Sequence, residues 1–87
     1  MLRISEISKS VDEAALRLEG ELMGPWVAEV NKACKPYLGS GHRLTLDLTD
    51  VSHVDRDGIT LLKQLLNLRV RLMNGSPFLT EQLKTES

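Results

Sequence analysis

The sequence predicts an α/β domain in which a mixed four-stranded sheet carries helices on one face, in the order β-β-α-β-α-β-α. The chain has 87 residues, and folding at that length buries only about 60–65% of the unfolded surface, which leaves room for one hydrophobic core. Apolar residues alternate with polar ones in several short segments, and between these segments they recur at helical spacing. We therefore expect residues 1–87 to form a single domain.

The first two strands are predicted from a period-two pattern. Leu2 and Ile4 alternate with polar neighbours, and Ala14, Leu16 and Leu18 do the same after a polar stretch. This pattern is typical of half-buried strands joined as a β-hairpin.

The first helix is predicted to begin at Gly24-Pro25, because proline is tolerated in the first helical turn. The stripe that follows at helical spacing consists of Val27, Val30 and Cys34. Pro36 has no backbone amide to donate, and a turn cluster follows it. We therefore expect the helix to loosen near Lys35 and to end before Gly39.

The third strand decides how the layers are arranged. Its apolar and polar positions alternate as Leu44, Leu46 and Leu48 against Thr45, Asp47 and Thr49. A strand covered on both faces would be a continuous apolar run. Helices should therefore cover one sheet face only, and Thr45 and Asp47 are expected to be exposed to solvent.

The second helix is predicted from Asp57 to about Leu68, with Asp57 as a capping acceptor at its start. Its apolar residues occupy about half of the helical circumference and are Ile59, Leu61, Leu62, Leu65, Leu66 and Leu68. This stripe is wider than docking on a sheet requires, so part of it is expected to be exposed.

The last strand is predicted around Val70 and Leu72, and Asn74-Gly75 ends it. A final helix follows. Its cap, first-turn residue and two core-facing leucines are predicted to be Ser76, Pro77, Leu79 and Leu83.

Composition excludes several classes of function. Lys and Arg total 11 against 12 Asp and Glu, and aromatic residues make up 3% of the chain, which argues against nucleic-acid binding. No apolar run approaches the roughly 20 residues of a membrane span, and the N-terminus lacks the apolar stretch of a signal peptide. We expect a cytoplasmic protein without membrane insertion. Cys34 is the only cysteine and is predicted to be a buried, inert thiol.

The stretch LDLTDVSHVDRDGITLL runs from a strand through an acidic loop into the apolar helix. It resembles the signature of STAS domains, the fold of bacterial anti-sigma-factor antagonists, in which a D-x-S-G or D-x-T-G turn opens a helix. Asp55 and Gly58 match the turn, and LRLEGEL resembles the family's second strand. The resemblance covers nearly the whole chain. It implies a STAS-like fold and a regulatory role through protein binding.

Asp57 departs from the family pattern. In antagonists of this family the equivalent position is a serine or threonine that a partner kinase phosphorylates. A carboxylate has no hydroxyl to accept a phosphoryl group, so the usual switch is not expected here. Asp57 is either a helix cap or a partial imitation of phosphoserine, which carries about −1.5 to −2 charges.

The resemblance implies a partner-binding loop, for which the candidate residues are Ser52, His53, Asp55, Arg56, Asp57, Gly58 and Thr60. The expected partner is another protein, either an anti-sigma factor of the kinase-like class or, alternatively, the ATPase of a lipid ABC-type transporter of which this chain would be an accessory subunit. A homodimer also stays open. Phosphorylation at Ser52 or Thr60 is a further alternative.

Metal binding and catalysis are not expected. Taken as a calcium loop beginning at His53, the sequence places Gln64 where a bidentate glutamate is required. The chain contains no G-x-S-x-G elbow, P-loop, H-E-x-x-H or C-x-x-C motif. We therefore predict a non-enzymatic protein without cofactors.

Overall fold

The structure is a computed structural model that describes residues 1–84. Its elements follow the predicted order, which is thereby confirmed. They are β1 (Leu2–Lys9), β2 (Glu13–Leu22), α1 (Pro25–Gly39), β3 (Arg43–Val54), α2 (Arg56–Asn67), β4 (Arg71–Met73) and α3 (Pro77–Lys84).

The four strands form one mixed sheet in the order β1-β2-β3-β4. β1 and β2 form the predicted antiparallel hairpin, with Ile4 opposite Leu18. β3 is parallel to both of its neighbours, and Leu46 lies opposite Leu16 of β2 and Leu72 of β4. Because β2, β3 and β4 are parallel, the chain crosses over through α1 and then through α2.

The hydrophobic core lies between the sheet and its helices, on one sheet face. The strand residues that alternate towards the helices are buried, as are the inward residues of the helices. The side chains with less than 2% exposure that fill this layer are Leu18, Leu22, Leu44, Leu46, Leu62, Leu65, Val30 and Cys34. The predicted one-sided architecture is confirmed, since Leu44, Leu46 and Leu48 all lie buried on this face. Thr45 on the other sheet face is half-buried and so less exposed than expected.

Asp47 differs from the expectation, because it is buried with 8% exposure although it lies on the sheet face opposite the hydrophobic core. Its Oδ1 accepts hydrogen bonds from the amide and hydroxyl of Thr49, at 3.0 and 2.6 Å, and from Asn74 Nδ2 at 3.2 Å. Arg17 lies 3.5 Å from Oδ2. The neighbouring polar side chains therefore shield the carboxylate that the alternation predicted to be solvated.

α1 runs through Pro36 and includes Gly39, so the expected ending before Gly39 is wrong. Proline removes only the hydrogen bond to the Lys32 carbonyl, and Lys32 is exposed to water. The buried side chain of Cys34 anchors this part of the helix in the core. Beyond it, the amide and hydroxyl of Ser40 both donate to the Pro36 carbonyl, at 3.1 and 2.8 Å.

β4 begins one residue later than the predicted alternation. Arg69 has a φ of 69° and ends α2 in the left-handed conformation, while the Val70 amide donates to the Leu65 carbonyl at 3.0 Å. Val70 is buried in the core, but it belongs to this turn and not to the strand.

The apolar stripe of α2 is partly exposed, as its width predicts. Leu61, Leu62 and Leu65 are buried, whereas Leu66 and Leu68 are 41% and 59% exposed. In α3 the predicted cap is confirmed, since the Ser76 hydroxyl accepts from the Leu79 amide at 3.1 Å. Leu79 is buried and Leu83 packs beside it.

Candidate functional site

Asp55 joins the starts of the two longer helices. Its Oδ1 accepts the Gly58 amide at 2.8 Å, which caps α2, and its Oδ2 accepts the Gly24 amide at 3.0 Å, at the start of α1. Both hydrogen bonds lower the pKa of the Asp55 carboxyl below its ordinary value, and the bond from the Gly24 amide has the larger effect. The Asp55 amide also donates to the Leu22 carbonyl at 3.2 Å. One carboxylate thus fixes the end of β3 against both helices.

Gly58 is required by the close approach of α2 to the sheet. A Cβ atom at this position would lie 2.6 Å from Val54 Cγ1 and 2.7 Å from the Leu22 carbonyl oxygen. Gly58 is also buried, so no side chain can leave the contact by turning towards solvent. The two residues that match the D-x-x-G turn, Asp55 and Gly58, therefore both serve the fold.

Asp57 does not cap α2, which corrects one of the two interpretations of its role. The cap is Asp55, and Asp57 lies in the first turn, exposed to solvent. Within residues 1–84 its carboxylate takes part in no hydrogen bond or ion pair. It lines a shallow groove between α1 and α2 together with Val27, Asn31 and Gln64. Its charge favours the positive end of the α2 dipole without a specific contact.

Three of the remaining candidate residues are exposed polar groups on either side of this turn. The Ser52 hydroxyl donates to the Gly20 carbonyl of β2 at 3.2 Å, and the Thr60 hydroxyl donates to the Arg56 carbonyl at 3.1 Å. His53 is exposed and lies opposite Glu21 in the parallel ladder. The structure therefore brings all seven candidates to one end of the sheet, but divides them into supporting and exposed groups.

Arg56 marks a second groove, on the side of the turn facing α3. This groove has a volume of about 340 Å³, and its lining includes His53, Ile59, Leu79 and Phe78. The Phe78 side chain is 72% exposed. Arg56 and Asp57 are adjacent in the sequence, but they line different grooves.

Phe78 is the residue of this site that sequence reasoning missed. The sequence pattern predicted only the core-facing residues of α3, Leu79 and Leu83. A signal was present, since an aromatic residue directly before a core leucine cannot share its helix face. A large apolar side chain at a non-core position of a short helix indicates exposed apolar surface.

The arrangement offers no group of nucleophile, base and orienting residue, and among residues 1–84 no cluster of three His, Cys, Asp or Glu could hold a metal ion. Cys34 is buried, and burial raises its thiol pKa to about 11, as expected for an inert cysteine. No helix in the described part of the chain is long and apolar enough to cross a membrane.

Comparisons with known proteins identify no family for this chain. No protein-family model matches the sequence, and no curated protein matches it significantly. The resemblance to STAS domains therefore stays a prediction from the sequence.

Proposed function

We propose that this domain is a non-catalytic protein-binding module of bacterial regulatory signalling, resembling an anti-sigma-factor antagonist without a phosphoacceptor at position 57. The observation that carries the proposal is the contrast within one turn. Asp55 and Gly58 hold the turn to both helices and the sheet, while Arg56 and Asp57 are exposed and their charged groups form no ion pair within residues 1–84. A rigid support with charged groups facing solvent favours recognition of a partner without a large ordering cost.

The proposal includes a cytoplasmic location and a protein partner, since the two partner classes implied by the resemblance, a kinase-like anti-sigma factor and a transporter ATPase, both present cytosolic surfaces. Exposure of Leu66 and Leu68 at the far end of α2 adds apolar surface to the same helix. Apolar surface beside charged residues is typical of partner-binding sites.

Site-specific photocrosslinking in the native host tests the proposal. A photoreactive benzoylphenylalanine replaces Asp57 in one protein and, as a control, Arg3 in another, because Arg3 is exposed on the uncovered face of the sheet. We expect a defined protein adduct from position 57 that position 3 does not give. Equal adducts from both positions, or none, would contradict an interface at this turn. The identity of the adduct distinguishes a kinase-like partner from a transporter ATPase.

The contribution of the Asp57 charge is measured with Asp57→Asn and the partner so identified. Because the carboxylate forms no hydrogen bond or ion pair within residues 1–84, the free energy of unfolding should fall by only about 0.3–0.5 kcal/mol. Affinity should fall by about fivefold or more, since a charge desolvated at an interface matters more than an exposed one. Equal affinities of the two proteins would remove Asp57 from the interface.

A further inference from the structure

The groove between the β3–α2 turn and α3, called here the Phe78 groove, combines an apolar lining with the cationic side chain of Arg56. Val54, Ile59 and Leu79 contribute apolar surface to it. Phe78 contributes an aromatic ring that the fold leaves largely in water, with 72% of the residue exposed. Leaving a phenylalanine exposed gives up burial that the fold could otherwise use, so the ring is available to a ligand at little cost to folding.

The available charge at this groove is positive. Arg56 is exposed and forms no ion pair within residues 1–84, and His53 is exposed beside it. Among the described residues that line the groove, Asp55 supplies the one carboxylate, and both of its oxygens already accept backbone amides. A ligand that enters the groove therefore meets a guanidinium group that has no ion-pair partner among residues 1–84, and a carboxylate that already accepts two hydrogen bonds.

From this charge complementarity we infer that the Phe78 groove binds a short acidic peptide segment of a partner protein, with an aromatic or leucine side chain packed against Phe78 and a carboxylate paired with Arg56. Guanidinium and carboxylate can form two parallel hydrogen bonds, which gives such a pair directional specificity. The inference rests on the proposed protein-binding function and deepens it, because it assigns the partner's chemistry and a surface other than the groove that Asp57 lines.

Selection from a library of short random peptides displayed on phage, with the wild-type protein immobilised, tests the chemistry directly. We expect the enriched peptides to carry Asp or Glu close to Phe, Trp or Leu. Failure to enrich any peptide, or enrichment of basic peptides, would overturn the inference.

The site is tested with a synthetic peptide of the enriched sequence and four variants. Phe78→Ala and Arg56→Glu should each weaken binding about tenfold or more. Val11→Ala truncates an exposed apolar residue between β1 and β2, and Arg71→Glu reverses an exposed charge on β4. Each of these two controls should change affinity less than about twofold. Similar losses in all four variants would overturn the site. Urea melts of the two groove variants should match the wild type, because both side chains are exposed.

Amide chemical shifts place the peptide independently of mutation. In ¹⁵N–¹H spectra, peptide addition should shift amides between Ser52 and Ile59 and at Gln82, and leave Asn31 beside Asp57 unchanged. Shifts centred on Asn31 would refute the Phe78 groove. Loss of partner affinity in Asp57→Asn together with a failed peptide selection would refute only this inference. Peptide binding together with unchanged partner affinity of Asp57→Asn would refute only the Asp57 interface.

Discussion

Asp47→Asn gives the sharpest test of the energetics of the sheet. The carboxylate holds three structural elements together, since it binds Thr49 of β3, Asn74 after β4 and Arg17 of β2. Hydrogen bonds from the Thr49 hydroxyl, the Thr49 amide and Asn74, in that order of importance, lower the pKa of the Asp47 carboxyl from 3.8 to about 2. Burial opposes this lowering, and the positive charge of Arg17 adds a smaller contribution to it. The charged form is thus stabilised in the folded protein relative to the unfolded chain.

The magnitude follows from linkage. A depression of nearly two pKa units corresponds to about 2 kcal/mol of stability at neutral pH. Asparagine keeps an acceptor oxygen for Thr49 but has no charge, so Asp47→Asn should lower the free energy of unfolding by about that amount at pH 7. For a domain of this size, the melting temperature should fall by about 8–16 °C.

The pH dependence has a definite sign because the folded-state pKa is depressed. The stabilisation is fully present above the unfolded-state pKa of 3.8 and is lost as the pH falls towards the folded value of about 2. Urea melts followed by circular dichroism should therefore show a constant difference in the free energy of unfolding between wild type and variant from pH 7 to pH 5. The difference should shrink to about 0.4 kcal/mol at pH 2. Asp50→Asn is the matched control, because Asp50 is exposed on the same strand. Equal stabilities at pH 7, or a difference at pH 2 as large as that at pH 7, would refute the assigned role.

Two further predictions concern the helices. Gly58→Ala should destabilise the protein by roughly 1–3 kcal/mol in urea melts, because the new methyl group would overlap Val54 and the Leu22 carbonyl. Gly39→Ala is the control: no atom lies near its new methyl group, so it should leave stability unchanged or raise it. The Cys34 thiol should resist a disulfide reagent in the native protein and react fully in urea, since it is buried and its pKa is about 11; rapid native labelling would show that α1 opens or packs differently.

Predictions about the fold succeeded where a local pattern reports the burial of many residues at once. The alternation through Leu44, Leu46 and Leu48 predicted the covered face of β3, since a shift of one residue would turn every leucine to solvent. The pattern failed for single residues whose surroundings are set by distant parts of the chain. Asp47 is shielded partly by Asn74, 27 residues away, and no periodicity within β3 contains that contact.

Helix ends show the same limit. Pro36 predicted a break from local chemistry alone, but the helix continues because Cys34 is held in the core and Ser40 satisfies the Pro36 carbonyl. Asp57 was expected to cap α2 on the basis of its position, whereas Asp55 takes the cap because its second oxygen also accepts the Gly24 amide. Both outcomes depend on tertiary contacts that outweigh local propensity.

The four residues of the turn from Asp55 to Gly58 fall into two pairs, one explained by the fold and one available for binding. The matched residues, Asp55 and Gly58, are explained by helix capping and by close packing. Any chain that packs a helix against a strand end in this way requires these two residues, whatever it binds. The presence of Asp55 and Gly58 is therefore stronger evidence for the fold than for a particular binding partner. The two residues between them are free of such constraints, and Arg56 and Asp57 line different grooves. Recognition of the proposed partner is therefore predicted to depend on these two side chains, and their substitution should change binding with little effect on folding.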